Sequence, residues 1–254
     1  MPDTLKAYSS KAEKYARYRW DYAPGAVDAI FHIAGLTQLS LVADMGAGTG
    51  ILTRHFTGRV ARVYALEPNP EMRTLARQSL SVQAGCLVCA ATAEATGLAH
   101  ASLDLITAGQ AVHWFEPGLA RAEFRRILKP GGWLALVRNI PDEGGLNNEI
   151  QLLNRSEFGV DFSRAARPLP DSGEETYLAP REAQKLSFPF CFQQNWEGFI
   201  GSLLSASYMP DEDNPAYPAL ENAARVIFAR FSRAGLLQVR GRSEVWIGKP
   251  AGES

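Results

Sequence analysis

The residues Val42-Ala43-Asp44-Met45-Gly46-Ala47-Gly48-Thr49-Gly50 set a carboxylate directly before three glycines, at the end of an apolar run that reads as a buried strand. Glycines there let a ligand approach the backbone closely and permit turn angles that a side chain forbids. The spacing is Gly-x-Gly-x-Gly, and Ile51 stands where a dinucleotide fingerprint has its third glycine. Asp44 departs further from that fingerprint, because a carboxylate beside a pyrophosphate repels it. It suits a ligand with an ammonium group. Glu67 ends the next strand, where doubly wound sheets present a carboxylate to both hydroxyls of a ribose. The two acids together describe a ligand with a ribose, a positive group and no phosphate.

Four further sets of residues have chemical potential. His113 is the one histidine of four in a plausible catalytic position, since His32, His55 and His100 fall in stretches without an accompanying motif. An imidazole suits a general base near neutral pH, and a structural or substrate-contacting role is the competing reading. Arg138, at the carboxyl end of a strand, and Arg19 could clamp a substrate carboxylate, against a surface salt bridge for Arg138. Tyr15, Tyr18, Trp20 and Trp114 could form a cage that attracts a cation through their ring faces, or could pack as core or lid. Cys86 and Cys89 have redox or zinc spacing, yet they sit in an apolar strand where residues three apart point to opposite faces. Burial as small hydrophobes is the better reading, and no metal site is expected.

These residues need elements to hold them. Residues 7–31 mix tyrosines and tryptophan with Lys and Arg and read as helical up to the Pro24-Gly25 break, with a further helix from Val27 ending near Gly35. Strands are expected at Leu39 to Ala43, Val60 to Leu66, Val82 to Ala90, Leu103 to Ala108 and Trp133 to Val137. Helices are expected from Ile51, at Pro70 to Gln78 and at Leu119 to Leu128, the last stopped by Lys129-Pro130-Gly131-Gly132. Such alternation implies right-handed crossovers and a largely parallel sheet with helices on both faces. After Asn139 the regularity fails over 140–180, with one helical stretch around Glu149 to Phe158. Order returns at Leu186, Phe188, Phe190 and Phe192, which alternate on one face around Pro189, as in an edge strand. Helical spacing follows at Trp196 to Leu204 and Val226 to Phe231, and a last strand at Glu244 to Ile247.

At this point the chain resembles the class I S-adenosylmethionine-dependent methyltransferases. The resemblance rests on Val42 to Gly50, Ala65 to Met72, Ala91-Thr92-Ala93-Glu94, Gln110 to Phe115 and Leu128 to Gly132. It implies that Asp44, Gly46, Ala47 and Gly48 hold the methionine portion and Glu67 the ribose, with Pro68 beside it. Asn69 and Met72 would border the adenine. Many members have an Asp at the position of Thr92, where this chain departs; Thr92, Ala93 and Glu94 would meet the adenine by backbone and side chain, and Gln110 would lie beneath the cofactor. Gln110 to Phe115 is also similar to a subgroup that includes trans-aconitate methyltransferase-like proteins acting on small acids. The arm with Tyr15, Arg19, Trp20 and Tyr22 resembles that subgroup's N-terminal lid, and Ser205 to Pro210 its later helix, although Arg19-Trp20 stands where members often have Arg-Pro.

The implied fold is a seven-stranded, mostly parallel, Rossmann-like α/β sheet with its last strand antiparallel. A single domain over 1–254 is expected: arm and helix 1–35, cofactor core 36–139, lid insertion 140–180 and a completing part 181–254. The implied reaction transfers a methyl group from S-adenosylmethionine, leaving S-adenosylhomocysteine, to a small-molecule oxygen of a carboxylate or hydroxyl. Nitrogen and carbon acceptors stay open, as do a non-catalytic S-adenosylmethionine-binding regulator and a nicotinamide-dependent dehydrogenase.

Composition fits this picture. The chain has 254 residues, 26 Lys+Arg against 27 Asp+Glu, and three cysteines. A net charge of −1 lacks the broad basic footprint that displaces phosphate counterions, so no nucleic-acid partner is expected. Three cysteines give no disulfide framework, the N-terminus lacks a secretory pattern and no apolar run spans a bilayer, so a cytoplasmic protein without membrane contact is expected. Monomer and homodimer both remain open.

Overall fold

A computed structural model describes residues 11–155, 173–206 and 209–251. In chain order the elements are helices α1 (Ala12–Tyr18) and α2 (Pro24–Ala34), strand β1 (Leu41–Met45), a three-ten turn (Thr53–His55), β2 (Arg62–Leu66), α3 (Pro70–Ser79), β3 (Cys86–Cys89) and β4 (Leu103–Gly109). A second three-ten turn (Val112–Trp114), α4 (Pro117–Ile127), β5 (Leu128–Pro141) and α5 (Gly145–Arg155) follow. A third three-ten turn (Glu175–Tyr177), β6 (Gln184–Gln194), α6 (Trp196–Leu204), α7 (Tyr217–Phe231) and β7 (Leu237–Gly248) follow among the described residues.

The strands form a seven-stranded sheet in the order β3-β2-β1-β4-β5-β7-β6. The pairs β1–β2, β1–β4, β2–β3 and β4–β5 are parallel. The Asp142 N–H donates to the Arg240 carbonyl, and the Ser243 hydroxyl reaches the Asn139 side chain, so partner numbers fall along β7 as they rise along β5. Gly241 meets Phe190 and Gly248 meets Ala183 in the same descending sense. β7 is therefore antiparallel to both neighbours, as expected for the last strand.

By contacts the chain divides into two compact units, one of Asp21–Asn139, Leu169–Phe188 and Ser243–Ser254, the other of Met1–Trp20, Ile140–Pro168 and Pro189–Arg242. In the first, Met45, Leu66, Ile106, Leu134, Leu136 and Trp246 on one sheet face pack against Phe124 and Ile127 of α4. The opposite face of β1 and β2 carries a smaller cluster of Ala47, Ala65, Ala76 and Leu80. Cys86 packs against that cluster and Cys89 against the larger one, so the two thiols sit on opposite faces of β3 as the spacing predicts. Burial pushes the Cys86 thiol up to about 11, which leaves it inert at neutral pH.

In the second unit, Phe199, Leu203 and Leu204 of α6 pack with Leu220, Ala224 and Ile227 of α7 and Leu153 of α5. Lys11 is buried there; its Nζ donates to the carbonyls of Leu204 and Met209, which ties the start of α1 to the end of α6.

Local sequence explains most boundaries. Pro occupies the first turn of α2, α3 and α4, where its missing N–H costs nothing. Asn69, Glu116 and Asn195 cap the N-termini of α3, α4 and α6 with side-chain oxygens, and Gly35 closes α2 in the left-handed conformation.

Five expectations change. The segment from Ile51 is not an α-helix but turns in which i to i+3 bonds predominate, because left-handed Gly50 and Gly58 bracket too few residues. β3 starts at Cys86 rather than Val82, which is exposed, because Gly85 at φ 81° turns the chain into the sheet. The stretch Leu128 to Gly132 is already strand, with Leu128 opposite Leu103 and an irregularity before Trp133. The aromatic-basic arm ends its helix at Tyr18, where Arg19 turns extended, and not at Pro24. Val226, counted on an apolar stripe, faces out of α7. The helix expected around Glu149 to Phe158 is α5; residues 156–172 and the pair Ser207-Tyr208 lie outside the described residues.

Candidate active site

β1 and β2 end side by side, with Met45 opposite Leu66, so the glycine run after β1 and Glu67 after β2 leave the sheet together at the carboxyl ends of these strands. Gly46, Gly48 and Gly50 all have positive φ, at 65°, 57° and 88°. Gly46 is required twice over, because a Cβ there would lie 2.7 Å from the Ala111 methyl. That approach brings the glycine loop against the Gln110–Phe115 segment that follows β4.

Glu67 knits these strand ends together. Its Oε2 accepts the Gly48 N–H at 2.8 Å and its Oε1 accepts the Asn69 N–H at 2.8 Å. Each oxygen keeps further acceptor capacity. Burial raises its pKa, and those two backbone bonds oppose the rise. Asn69 caps α3 by accepting the Met72 N–H, and Met72 is buried beside it. Pro68 is exposed, and its carbonyl, with that of Glu67, accepts from Arg73.

Asp44 lies beneath the loop, 1% exposed. Its Oδ2 accepts the Thr53 hydroxyl at 2.6 Å, and its Oδ1 is buried with no hydrogen-bond partner. Burial above all, then the Glu67 charge, pushes this carboxyl up to about 7, against the Thr53 hydrogen bonds. The hydroxyls of Thr49 and Thr107 are likewise buried and unpartnered, and Thr107 is the register partner of Asp44 on β4. An unsatisfied buried carboxylate oxygen is costly unless a donor arrives from outside the chain. The orphaned oxygen, the loop that a single Cβ would jam and the paired-off Glu67 fit a ligand with an ammonium group and a ribose.

Gln110 follows β4 in the left-handed region at φ 53°, a strained state for a side chain, and its N–H donates to the Val137 carbonyl at 2.8 Å. His113 and Trp114 ride on the three-ten turn that follows, with ring centroids 4.7 Å apart. The Tyr177 hydroxyl donates to the Val112 carbonyl, and its ring packs edge-on against Phe115, so this turn is seated from below. Burial first, then Glu94 and Glu116, drives the Tyr177 hydroxyl pKa upward, so it stays a donor.

Thr92 is exposed and Ala93 is buried, while the Glu94 carboxylate accepts the Glu116 N–H at the start of α4. Glu123 anchors the same loop: it accepts the Thr96 N–H at 3.0 Å and the Thr96 hydroxyl. The Arg126 guanidinium beside it holds its carboxyl down at about 2. Arg138 extends from the end of β5 over the Trp246 ring and meets Glu174 at 3.5 Å, while its Nε has no partner.

The structure thus gathers Asp44, Gly46, Ala47, Gly48, Glu67, Asn69, Met72 and Gln110 at the carboxyl ends of β1, β2 and β4, with the Thr92–Glu94 loop and the His113 turn leading from them. Tyr15, Tyr18, Arg19 and Trp20 belong to the other unit. There the Tyr18 hydroxyl donates to Glu197, Arg19 covers the Tyr15 ring, and Trp20 packs edge-on to Phe190 and Phe192. Sequence reading missed Thr49, Thr53 and Thr107. The first is visible in hindsight as a hydroxyl inside the glycine run; the others depend on the register of β1 with β4 and on the turn that replaced a helix.

Comparison with known proteins finds methyltransferases. A methyltransferase-domain family model matches residues 43–136, from β1 through β5. A methyltransferase of Schizosaccharomyces pombe is 30% identical over 173 residues, covering 66% of this chain and 68% of that protein. A malonyl-[acyl-carrier protein] O-methyltransferase of Herminiimonas arsenicoxydans is 28% identical over 206 residues, covering 77% and 73%. The chain spans about half, 55%, of the length of the mycobacterial methyltransferases that it matches at 38% identity. Among solved structures, a type II methyltransferase from Anaeromyxobacter dehalogenans shares the fold with a TM-score of 0.61 at 21% identity, covering 91% of this chain and 98% of that one. The Schizosaccharomyces relative, 30% identical and matched over more than two thirds of its length, places this chain in the methyltransferase family.

Proposed function

We propose that the protein transfers a methyl group from S-adenosylmethionine to an oxygen of a small molecule, a carboxylate or hydroxyl. The observation that carries this is the unpartnered, buried Asp44 Oδ1 beneath a glycine loop whose Gly48 N–H is bonded to Glu67. Asp44 would accept the ammonium group, Gly46, Ala47 and Gly48 would admit the methionine portion against the backbone, and Glu67 would accept the ribose hydroxyls. Asn69, Met72 and the Thr92–Glu94 loop would border the adenine, and the strained Gln110 backbone would lie beneath. When bound, the cofactor supplies a sulfonium-activated methyl group.

The chain's own task is alignment and exclusion of water, because a carboxylate nucleophile needs no base. For a hydroxyl acceptor, His113 would take the proton. Arg138 supports an acidic acceptor. It lies two strands from β1 across the sheet, about 10 Å at a spacing of ~4.8 Å per strand, and its Nε is unpartnered. The name of the Herminiimonas relative supports an oxygen acceptor.

Calorimetry with S-adenosylhomocysteine should show saturable binding, and NAD none; the reverse would overturn the proposal. Binding without methyl transfer across a panel of small acids and alcohols would favour a non-catalytic regulator. His113→Ala should spare binding and lower turnover on a hydroxyl acceptor, and unchanged turnover there would remove His113 from the proton transfer.

A further inference from the structure

The three-ten turn Thr53–His55 has a different grip on either side. Toward the sheet, the Thr53 hydroxyl donates to Asp44 Oδ2 at 2.6 Å. Away from it, Arg54 Nη2 meets Asp21 Oδ2 at 2.7 Å and His55 Nε2 meets Asp21 Oδ1 at 2.6 Å. Asp21 Oδ1 also accepts the N–H of the next residue, Tyr22. Three consecutive residues therefore join the carboxylate under the glycine loop to the backbone at Asp21–Tyr22.

Tyr22 has a place in the site. It is buried, and its hydroxyl lies against Gly109 so closely that a Cβ added there would overlap it and would also come within 3.0 Å of Leu52. Gly109 is the last residue of β4, next to strained Gln110. A second anchor is independent of the turn. The Ser243 hydroxyl accepts the Ala23 N–H at 2.9 Å and donates to Asn139 Oδ1, and Asn139 Nδ2 donates to the Asp21 carbonyl. The backbone at residues 21–23 is thus fixed to β5 and β7 by neutral bonds and to the glycine-loop turn by charged ones.

We propose that Asp21, gripped by Arg54 and His55, is a positioning residue that sets Tyr22 as a wall of the site over Gly109 and couples it to the occupancy of Asp44. The proposal rests on the reading that Asp44 holds the ligand's ammonium group. A cation at Oδ1 alters the charge and orientation of the carboxylate that Thr53 bonds. A three-ten turn this short has no slack to absorb the change between Thr53 and the next two residues. Coupling of this kind is reciprocal: whatever loosens Asp21 weakens cofactor binding, and cofactor binding tightens Tyr22.

Hydrogen–deuterium exchange with S-adenosylhomocysteine as the probe tests this. In the unaltered chain, saturating probe should slow exchange at Tyr22–Ala26 about 10-fold as well as in the glycine loop. The double variant Arg54→Gln/His55→Gln should bind the probe roughly 5- to 20-fold more weakly and, once saturated, protect the loop without protecting Tyr22–Ala26. Asp21→Asn keeps size but removes the gripped charge, and should give the same split if the double variant folds poorly. Loop protection without any change at Tyr22–Ala26 in the unaltered chain would overturn the coupling, as would undiminished transmission in both variants. Protection of neither segment would instead sink the Asp44 reading, and the coupling with it.

Discussion

Asp44 sets two demands against each other. Its carboxyl is pushed to about 7 by burial, so between roughly pH 4 and 7 the folded chain holds a proton that the unfolded chain has released. Stability therefore falls as pH rises through that window. Asp44→Asn removes the penalty, and thermal melts at pH 8 should place the unliganded variant roughly 2–8 °C above the parent. The same variant should bind S-adenosylhomocysteine ~10-fold or more weakly by calorimetry, because an amide does not attract an ammonium group as a carboxylate does. Binding a cation favours the ionised acid, so the parent's affinity should rise with pH across about 6 to 8 and then level off. A flat profile would remove Asp44 from the ligand. Asp44 and Glu67 were legible from their places at strand ends beside glycines. Thr53 was not, because its role required a turn where the sequence pattern reads as a helix.

At the scale of elements, two connections hold the site's rim. Gly46 serves the contact between the β1 loop and the segment after β4, so Gly46→Ala meets both an unfavourable φ and the Ala111 methyl. We expect a loss of about 2–4 kcal/mol in urea unfolding together with weakened cofactor binding. Glu123 on α4 holds the 92–98 loop through Thr96. Its depressed carboxyl stabilises the fold fully above about pH 4.5 and ceases to do so as pH falls toward 2. Glu123→Gln should cost ~1–3 kcal/mol at pH 7 and progressively less below pH 4, and a pH-independent difference in denaturant melts would contradict this. The alternation of strands and helices was readable from apolar runs and proline starts. Glu123 was not, because Thr96 lies 27 residues away and only the crossover brings them together.

At the scale of the whole molecule, distant segments meet on β5 and β7. Ser243 is fully buried between Ala23 and Asn139, a residue 104 positions earlier, so no spacing rule reveals it. Ser243→Ala leaves a buried N–H and a buried amide oxygen short of a partner, and calorimetric melts should register a loss of about 1–3 kcal/mol. The buried Lys11 leads elsewhere. An amine at 3% exposure, enclosed by two carbonyls and near Asp211, is shielded from acylating reagents for as long as its surroundings stay closed, while Lys185 at 54% is open to them. The rate at which Lys11 becomes labelled, read by mass spectrometry against Lys185 in the same sample, is therefore a clock, native to the chain, for how often the α1–α6 packing opens.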